Sequence, residues 1–458
     1  MRKRNLLSGI LLLAISVAGA QAKYELTVKE AVDLAFKNVV ELKNAQLDYQ
    51  IQEAKNKEII GQALPQLTGS AGAQYYLKLP VLLFPQSDQG IYDVLIREGL
   101  LPSTAKAPAP TFVPFSFQQP WNLNFGATLS QLLFQPDVFV GIQARQTSLD
   151  YNKALIEQAK DKIKDSAYNR YYAILIAQKQ LHFLNESVTR LEKLYHDDSI
   201  MFNNGFAERL DLDKVQVQLN NLKTTQSVVT NAITLSYAAM KFAMGVSQKD
   251  TVVLKDDLSV ESIKADILEE GFRYDDRPEI RTLTILERLQ QLDVKRNKLS
   301  ILPTVAAAAN YTVNAMGQKF FTDPNTLGFK SSYVGLSVNL PLFNGFQRKY
   351  KILQSQLSLK KVQNSLDVAK QGIDFEQVVT KESLKNALAN LDMQVRNLDL
   401  AQKVYNATKL KFEQGLGSSF EVLTADNDYQ IAQSNYFNAL YNATIAKVGY
   451  LHSLGKLP

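Results

Sequence analysis

The chain contains no cysteine, one tryptophan and only three histidines in 458 residues. Without cysteine no disulfide can staple the fold, and no thiolate can act as nucleophile or metal ligand. The histidines, His182, His196 and His452, all fall in helical patterns. His182 and His196 stand two heptads apart, which puts them on a shared face, but zinc-ligand spacings and a glycine-rich phosphate loop are both missing. We therefore expect no enzyme, no metal site and no cofactor. After residue 22 no apolar run reaches the roughly eighteen residues of a membrane-spanning helix, so any span must be made of strands.

Charge of one sign is also lacking. There are 51 Lys+Arg and 45 Asp+Glu, and three of the basic residues are Arg2, Lys3 and Arg4. That short basic region precedes an apolar stretch from Leu6 to Val17 and the small-residue site Ala20-Gln21-Ala22. The order is that of a cleavable export signal over residues 1–22. No lipid-anchoring cysteine follows it. Without the leader the charges nearly balance, so the sequence pI of 9.0 gives no footprint for nucleic acid and none is expected as partner.

What the chain does have is a repeat. Leu64-Pro65-Gln66-Leu67 matches Leu302-Pro303-Thr304-Val305, and Leu133-Phe134-Gln135 matches Leu342-Phe343-Asn344. Phe202-Asn203-Asn204-Gly205 matches Phe412-Glu413-Gln414-Gly415, and Met244-Gly245 matches Leu454-Gly455, both at an offset of 210. Each half reads as helix, strand pair, very long helix, glycine turn, returning helix. One helical pattern runs from about Thr27 to Gly61, and Pro65 and Pro303 end the first helices where each strand hairpin starts. Asp137–Asn203 and Phe346–Glu413 carry no proline and would each extend about 100 Å as helices. Leu384, Leu388, Leu391, Val395, Leu398, Tyr405 and Phe412 follow heptad spacing.

The strand runs alternate with period two. Trp121–Ser130 places an apolar residue at every odd position, Val305–Val313 and, more weakly, Leu67–Tyr75 alternate likewise, and Val334–Leu340 alternates with its apolar residues at even positions. Each is about the length a tilted strand needs to cross a bilayer, and none of these runs carries a charge. Four strands cannot close a barrel alone, and open edges are forbidden in lipid. Three copies would supply twelve strands, within the range of bacterial barrels.

This ordered combination resembles the TolC-type outer-membrane efflux proteins, over nearly the whole mature chain. Its carriers are the duplicated helix–Leu-Pro–hairpin–helix order, the two Phe-x-x-Gly turns, and Phe420-Glu421-Val422-Leu423-Thr424-Ala425 followed by Ala432, Asn435 and Tyr436. The resemblance implies a mainly α protein with a transmembrane β-barrel: a homotrimer with a twelve-stranded barrel and an α-helical tunnel. It implies a first structural repeat at 23–245, with a hairpin near 67–131, and a second at 275–458, with a hairpin near 304–340. Residues 246–274 and the chain ends would form an equatorial belt. The excess of the first half, the proline-rich segment 78–120, would be an extracellular loop without regular structure, folded over the barrel mouth or against neighbouring copies. The protein would sit in outer-membrane lipid and conduct cargo passively from an inner-membrane pump through a periplasmic adaptor.

Site residues follow from the same resemblance. Phe202, Gly205, Phe412, Gly415 and Gly417 would form the hairpin tips that meet the adaptor, although the glycines also suit helix C-caps. Asp211, Asp213 and Glu421 would narrow the pore as carboxylate rings, although acids at helix starts also serve the helix dipole. Thr424 stands where the family often has a second acid, and Gly417 where an arginine can latch the closed state. Arg209 is a candidate substitute. The rival reading is an exported coiled-coil scaffold or adaptor, which shares the long helices but has no use for four uncharged alternating strands.

Overall fold

The computed structural model describes residues 22–265, 271–320, 324 and 326–458. Residues 1–21 of the expected export signal 1–22, and residues 266–270 of the 246–274 segment, lie outside the described residues. The chain folds as two compact units, each assembled from both sequence halves. One takes Met1–Gln52, Thr147–Leu289 and Leu359–Pro458, and the other takes Glu53–Gln146 and Gln290–Ser358.

In chain order the elements are β1 (Lys23–Leu26), α1 (Val28–Asn38), α2 (Val40–Gln62), β2 (Gln66–Tyr75), β3 (Leu82–Gln86), α3 (Gln89–Arg97), β4 (Thr111–Phe115) and β5 (Trp121–Phe134). There follow α4 (Pro136–Asn203), α5 (Arg209–Ala243), β6 (Thr251–Leu254), α6 (Val260–Lys264) and α7 (Pro278–Leu299). The chain ends with β7 (Thr304–Gly317), β8 (Leu327–Asn339), α8 (Gln347–Glu413) and α9 (Ser419–Ser453). The long helices have 68 and 67 residues. No described helix is long and apolar enough to cross a membrane.

The strand unit is built on one antiparallel sheet in the order β2-β5-β7-β8. Its two hairpins join through β5 and β7, leaving β2 and β8 as open edges. Register decides the faces. Leu67, Leu129, Ala309 and Val334 align in one cross-strand row, and Ala71, Phe125 and Val313 in another on the same side. The opposite side carries Thr68, Thr128 and Asn310, then Ser70, Gly126 and Thr312. The Asn310 amide donates to Thr128 Oγ1 at 2.8 Å, and the Thr312 hydroxyl donates to Asn310 Oδ1 at 2.7 Å. Aromatic rings gather at both ends of the sheet: Tyr75, Trp121 and Phe320 at one, Phe134, Phe343 and Phe346 at the other. Strand β8 starts earlier than its alternation suggests and brings in Lys330 opposite Val313, near the hairpin end. The strands are therefore not free of charge, but a lysine at an end can extend its ammonium toward water.

Segment 78–120 corrects the expectation of an irregular loop. β3 and β4 form an antiparallel hairpin that pairs Leu83 with Pro114 and Pro85 with Phe112. Both strands of a two-stranded ladder are edges, so a proline can turn its missing N–H outward without losing a bond. Phe84, Phe115 and Phe117 meet edge-to-face at centroid distances of 4.8–6.1 Å.

In the helical unit β1 pairs in parallel with β6. Thr27 caps α1 through a full capping box with Glu30. The single helix expected from Thr27 to Gly61 is interrupted at Val39, whose ψ of 124° is extended. The turn after α5 packs closely at this break: a Cβ on Gly245 would lie 2.9 Å from the Asn38 carbonyl carbon. One apolar cluster centres on Tyr171, Ile174 and Leu440, and a second on Leu191, Val215, Tyr405 and Tyr429. Two helices keep exposed apolar stripes at helical periodicity, with steps of seven broken by one of eleven on α5 and one of eighteen on α8: Leu210, Val217, Val228, Leu235 and Phe242 on α5, and Val368, Phe375, Met393 and Leu400 on α8.

Candidate functional site

The two Phe-x-x-Gly turns end α4 and α8 in the same way. Gly205 and Gly415 adopt φ of 80° and 73°. The Gly205 N–H donates to Phe202 O at 3.0 Å and the Phe206 N–H to Met201 O at 2.8 Å. The Gly415 N–H donates to Phe412 O and the Leu416 N–H to Lys411 O, both at 2.9 Å. These are Schellman turns, which need a residue free to take positive φ. A Cβ at either glycine would meet nothing within 4 Å, so both tips are open. Gly417 is different: its φ is not positive, and a Cβ there would touch Glu421 Oε2 at 3.3 Å.

The same turn recurs at Gly245 and Gly455, with φ of 65° and 70°. These glycines are enclosed. A Cβ on Gly455 would stand 2.7 Å from Asp276 O. One sequence repeat thus yields two open turns and two that exist for close packing.

The returning helices begin next to the open turns. Ser418 caps α9 by accepting from the Glu421 N–H at 3.2 Å, whereas Glu208 at the matching place on α5 makes no side-chain cap. Asp211 and Glu421 both lie in first turns. Asp211 pairs with Lys214 at 3.3 Å, and the Lys214 ammonium lies 4.6 Å from the Phe420 ring, which ties α5 to the start of α9. Asp213 pairs with Arg209 at 3.0 Å, and Arg209 also lies over the Phe202 ring. Among the described residues Glu421 has no cationic partner, and it is exposed. The structure therefore brings the six residues Phe202, Gly205, Asp211, Phe412, Gly415 and Glu421 to one end of the four-helix arrangement. Pro65 and Pro303 each stand just ahead of the strand that opens its hairpin.

Sequence reasoning missed the buried charges behind the tips. Arg190 on α4 donates from Nε to Asp426 on α9 at 3.0 Å, and from Nη2 to Ser187 at 2.7 Å. Its guanidinium sits 5.4 and 5.1 Å from the rings of Tyr405 and Tyr429, which stack on one another. Gln430 donates to the other Asp426 oxygen. Burial pushes the Asp426 carboxyl up, and Arg190 opposes that rise. Asp198 is fully buried, and neither of its oxygens has a partner at hydrogen-bond geometry. Burial raises it, the Ser419 hydroxyl nearby pulls it partly back, and Asp211 and Asp197 add to the rise. Asp426 follows the recognisable Phe420–Ala425 run and was within reach of a sequence reading, but its partner is 236 residues away.

A second charged cluster lies at the other end of α9. Arg277 donates to the final carbonyls of that helix, His452 O at 3.2 Å and Ser453 O at 2.9 Å, and pairs with Glu279 and Glu376. His452 meets Asp161 at 2.9 Å and Glu376 at 3.7 Å. The hydrogen bond to Asp161, helped by Glu376 and opposed by burial, lifts the His452 imidazole to about 10. Groups of three or more potential metal ligands do not occur among the described residues.

Residues 275–456 match the family described as outer membrane efflux protein. Outer membrane protein TolC of Vibrio cholerae serotype O1 is 18% identical over 340 residues, which is 73% of this chain and 77% of that protein. The Campylobacter jejuni CmeC outer membrane channel superposes with a TM-score of 0.71 at 14% identity, covering 94% of this chain and 85% of that one. The outer membrane protein VceC of Vibrio cholerae gives 0.67 at 14%, covering 93% and 96%. The second half of the chain thus matches the outer membrane efflux protein family in sequence, and nearly the whole chain shares the fold of the outer membrane channels.

Proposed function

We propose that this protein is the outer-membrane exit duct of a tripartite efflux or secretion system. It conducts cargo passively from an inner-membrane pump, through a periplasmic adaptor, to the outside, and performs no chemistry itself. The observation that carries this reading is the four-stranded sheet with one apolar face, one amide- and hydroxyl-bearing face and two unpaired edges. Such edges are not tolerated in lipid, so β2 of one copy pairs with β8 of the next. Three copies close a twelve-stranded barrel. The aromatic rings at both sheet ends suit the two membrane interfaces. The exposed apolar stripes of α5 and α8 support side-by-side packing of the copies into an α-helical tunnel.

The repeats at 23–245 and 275–458 then each supply one hairpin and one helix pair, and 246–274 forms the belt. The open turns at Phe202, Gly205, Phe412, Gly415 and Gly417 face the adaptor. Threefold symmetry makes Asp211, Asp213 and Glu421 rings of carboxylate, which favour cations in a narrow pore. Glu421 dominates, because Asp211 and Asp213 are already neutralised by Lys214 and Arg209.

The experiment is extraction followed by mass measurement. The protein should resist carbonate washing, require detergent, and scatter light with a protein mass near three mature chains. A carbonate-soluble chain, or a folded detergent monomer, would make the coiled-coil scaffold the better reading.

A further inference from the structure

The segment between β2 and β5 is ordered but almost bare. Every residue of β3 and β4 is exposed, and α3 buries none of its own. Ile91 is 61% exposed, Leu100 71% and Phe117 64%, although the aromatic cluster already holds the hairpin together. Isolated two-stranded hairpins are marginal in water, and apolar surface of this extent ordinarily marks an interface.

Two features identify what covers it. The first is its root. The chain leaves the sheet from Tyr75 at the end of β2, and the base of the excursion is closed by the Tyr76 N–H donating to Pro120 O at 2.9 Å. β2 is an edge strand, so the segment rises beside the seam where another copy must pair. The second is its charge. Lys78, Arg97 and Lys106 are balanced by Asp88, Asp93 and Glu98, with Arg97 held by Glu98 at 3.3 Å. A surface for anionic headgroups would be basic. A neutral apolar surface meets a second copy of itself without repulsion.

We propose that residues 78–120 are a self-association module, in which the β3–β4 hairpin and α3 of one copy pack on the same segment of its neighbours and narrow the outer mouth. The proposal rests on the barrel closing between copies. The segment adds a second, water-exposed contact to that closure and sets a restriction on the outward side.

The absence of native cysteine makes the test direct. Ile91→Cys, Leu100→Cys and Phe117→Cys are made singly, and outer membranes are treated with a short bismaleimide. Covalent dimers from at least one position are expected, since one thiol per chain lets a bismaleimide join only two copies, while Gln402→Cys on α8 serves as a control for collision. If all three react with a monofunctional maleimide but none crosslinks, in protein whose mass in detergent is trimeric, the module is refuted and the duct reading survives. A non-trimeric mass refutes the duct reading itself. A fluorophore at Ile91→Cys that is quenched by nitroxide-bearing lipid would place the segment in the bilayer and also overturn the proposal. Conductance offers a second readout: replacing Phe84, Phe115 and Phe117 by serine should raise single-channel conductance without altering the trimeric mass.

Discussion

Arg190 and Asp426 lie 236 positions apart, yet the Arg190 Nε stands 3.0 Å from an Asp426 carboxylate that is 1% exposed. The pair binds the two helical hairpins to one another just behind their open turns. Removing one member leaves the other charge buried and unpaired, which costs about 3–5 kcal/mol. Asp426→Ala should therefore lower the melting temperature of the detergent-extracted protein sharply. The double change Arg190→Met with Asp426→Leu should restore much of the loss, because a matched apolar pair carries no desolvation cost. Equal melting of Asp426→Ala and the parent would show the pair to be idle.

Asp198 should behave in the opposite sense. Its folded carboxyl is raised, so the folded chain resists ionisation. The resulting penalty is absent below the ordinary carboxyl range and grows as pH rises through and above it. Asp198→Asn should stabilise the protein at pH 7 by about 1–3 kcal/mol and converge with the parent near pH 4. Thermal melts followed by far-UV circular dichroism across that range decide it, and a less stable variant at pH 7 contradicts the assignment.

His452 gives a pH dependence of the other sign. Its folded value is about 10 against the ordinary 6.5. The stabilisation it brings is present in full below about pH 6.5 and is lost as pH climbs toward 10. His452→Gln should melt well below the parent at pH 6, and the gap should close above pH 10. A gap that stays constant across this range would mean that packing, and not the charge, matters at this position.

The four Schellman glycines separate into two pairs by substitution. Gly205→Ala meets only the cost of a left-handed backbone, about 1–2 kcal/mol. Gly455→Ala meets that cost and a backbone oxygen 2.7 Å from its new Cβ. Urea or thermal unfolding should rank Gly455→Ala clearly below Gly205→Ala. If Gly205→Ala also abolishes transport while the trimer remains intact, the open turn has a binding role besides its conformational one.

At the pore, Glu421→Gln should reduce cation selectivity in planar bilayers more than Asp213→Asn does. Glu421 has no cationic partner among the described residues, whereas Asp213 is matched by Arg209 at 3.0 Å. Equal effects would indicate that the ion pairs seen within one chain do not persist in the pore.

The linear chain determined what depends on near neighbours. Pro65 and Pro303 stop helices because a proline restricts the residue before it. Gly205 and Gly415 end the long helices because only glycine takes positive φ without cost. The alternation in Trp121–Ser130 assigns two faces because strand side chains point in turn to opposite sides. These local rules, copied once by the repeat, made the order of helices and strands readable before any coordinates.

Tertiary structure decided what depends on distant residues. At the break at Val39 the turn holding Gly245 packs against the Asn38 backbone, a contact between residues more than two hundred positions apart. The prolines of 78–120 suggested an irregular loop, but pairing with a single partner strand lets Pro85 and Pro114 sit in a ladder. His452 read as an ordinary helical histidine until Asp161, Glu376 and Arg277 were brought beside its helix end. Asp198 and Asp426 carry no local mark that sets them apart from other helical acids, and only the packed helices bury them and raise their carboxyls. Each outcome rests on contacts well beyond near neighbours, about thirty positions in the proline ladder and 236 between Arg190 and Asp426, which a linear pattern does not carry.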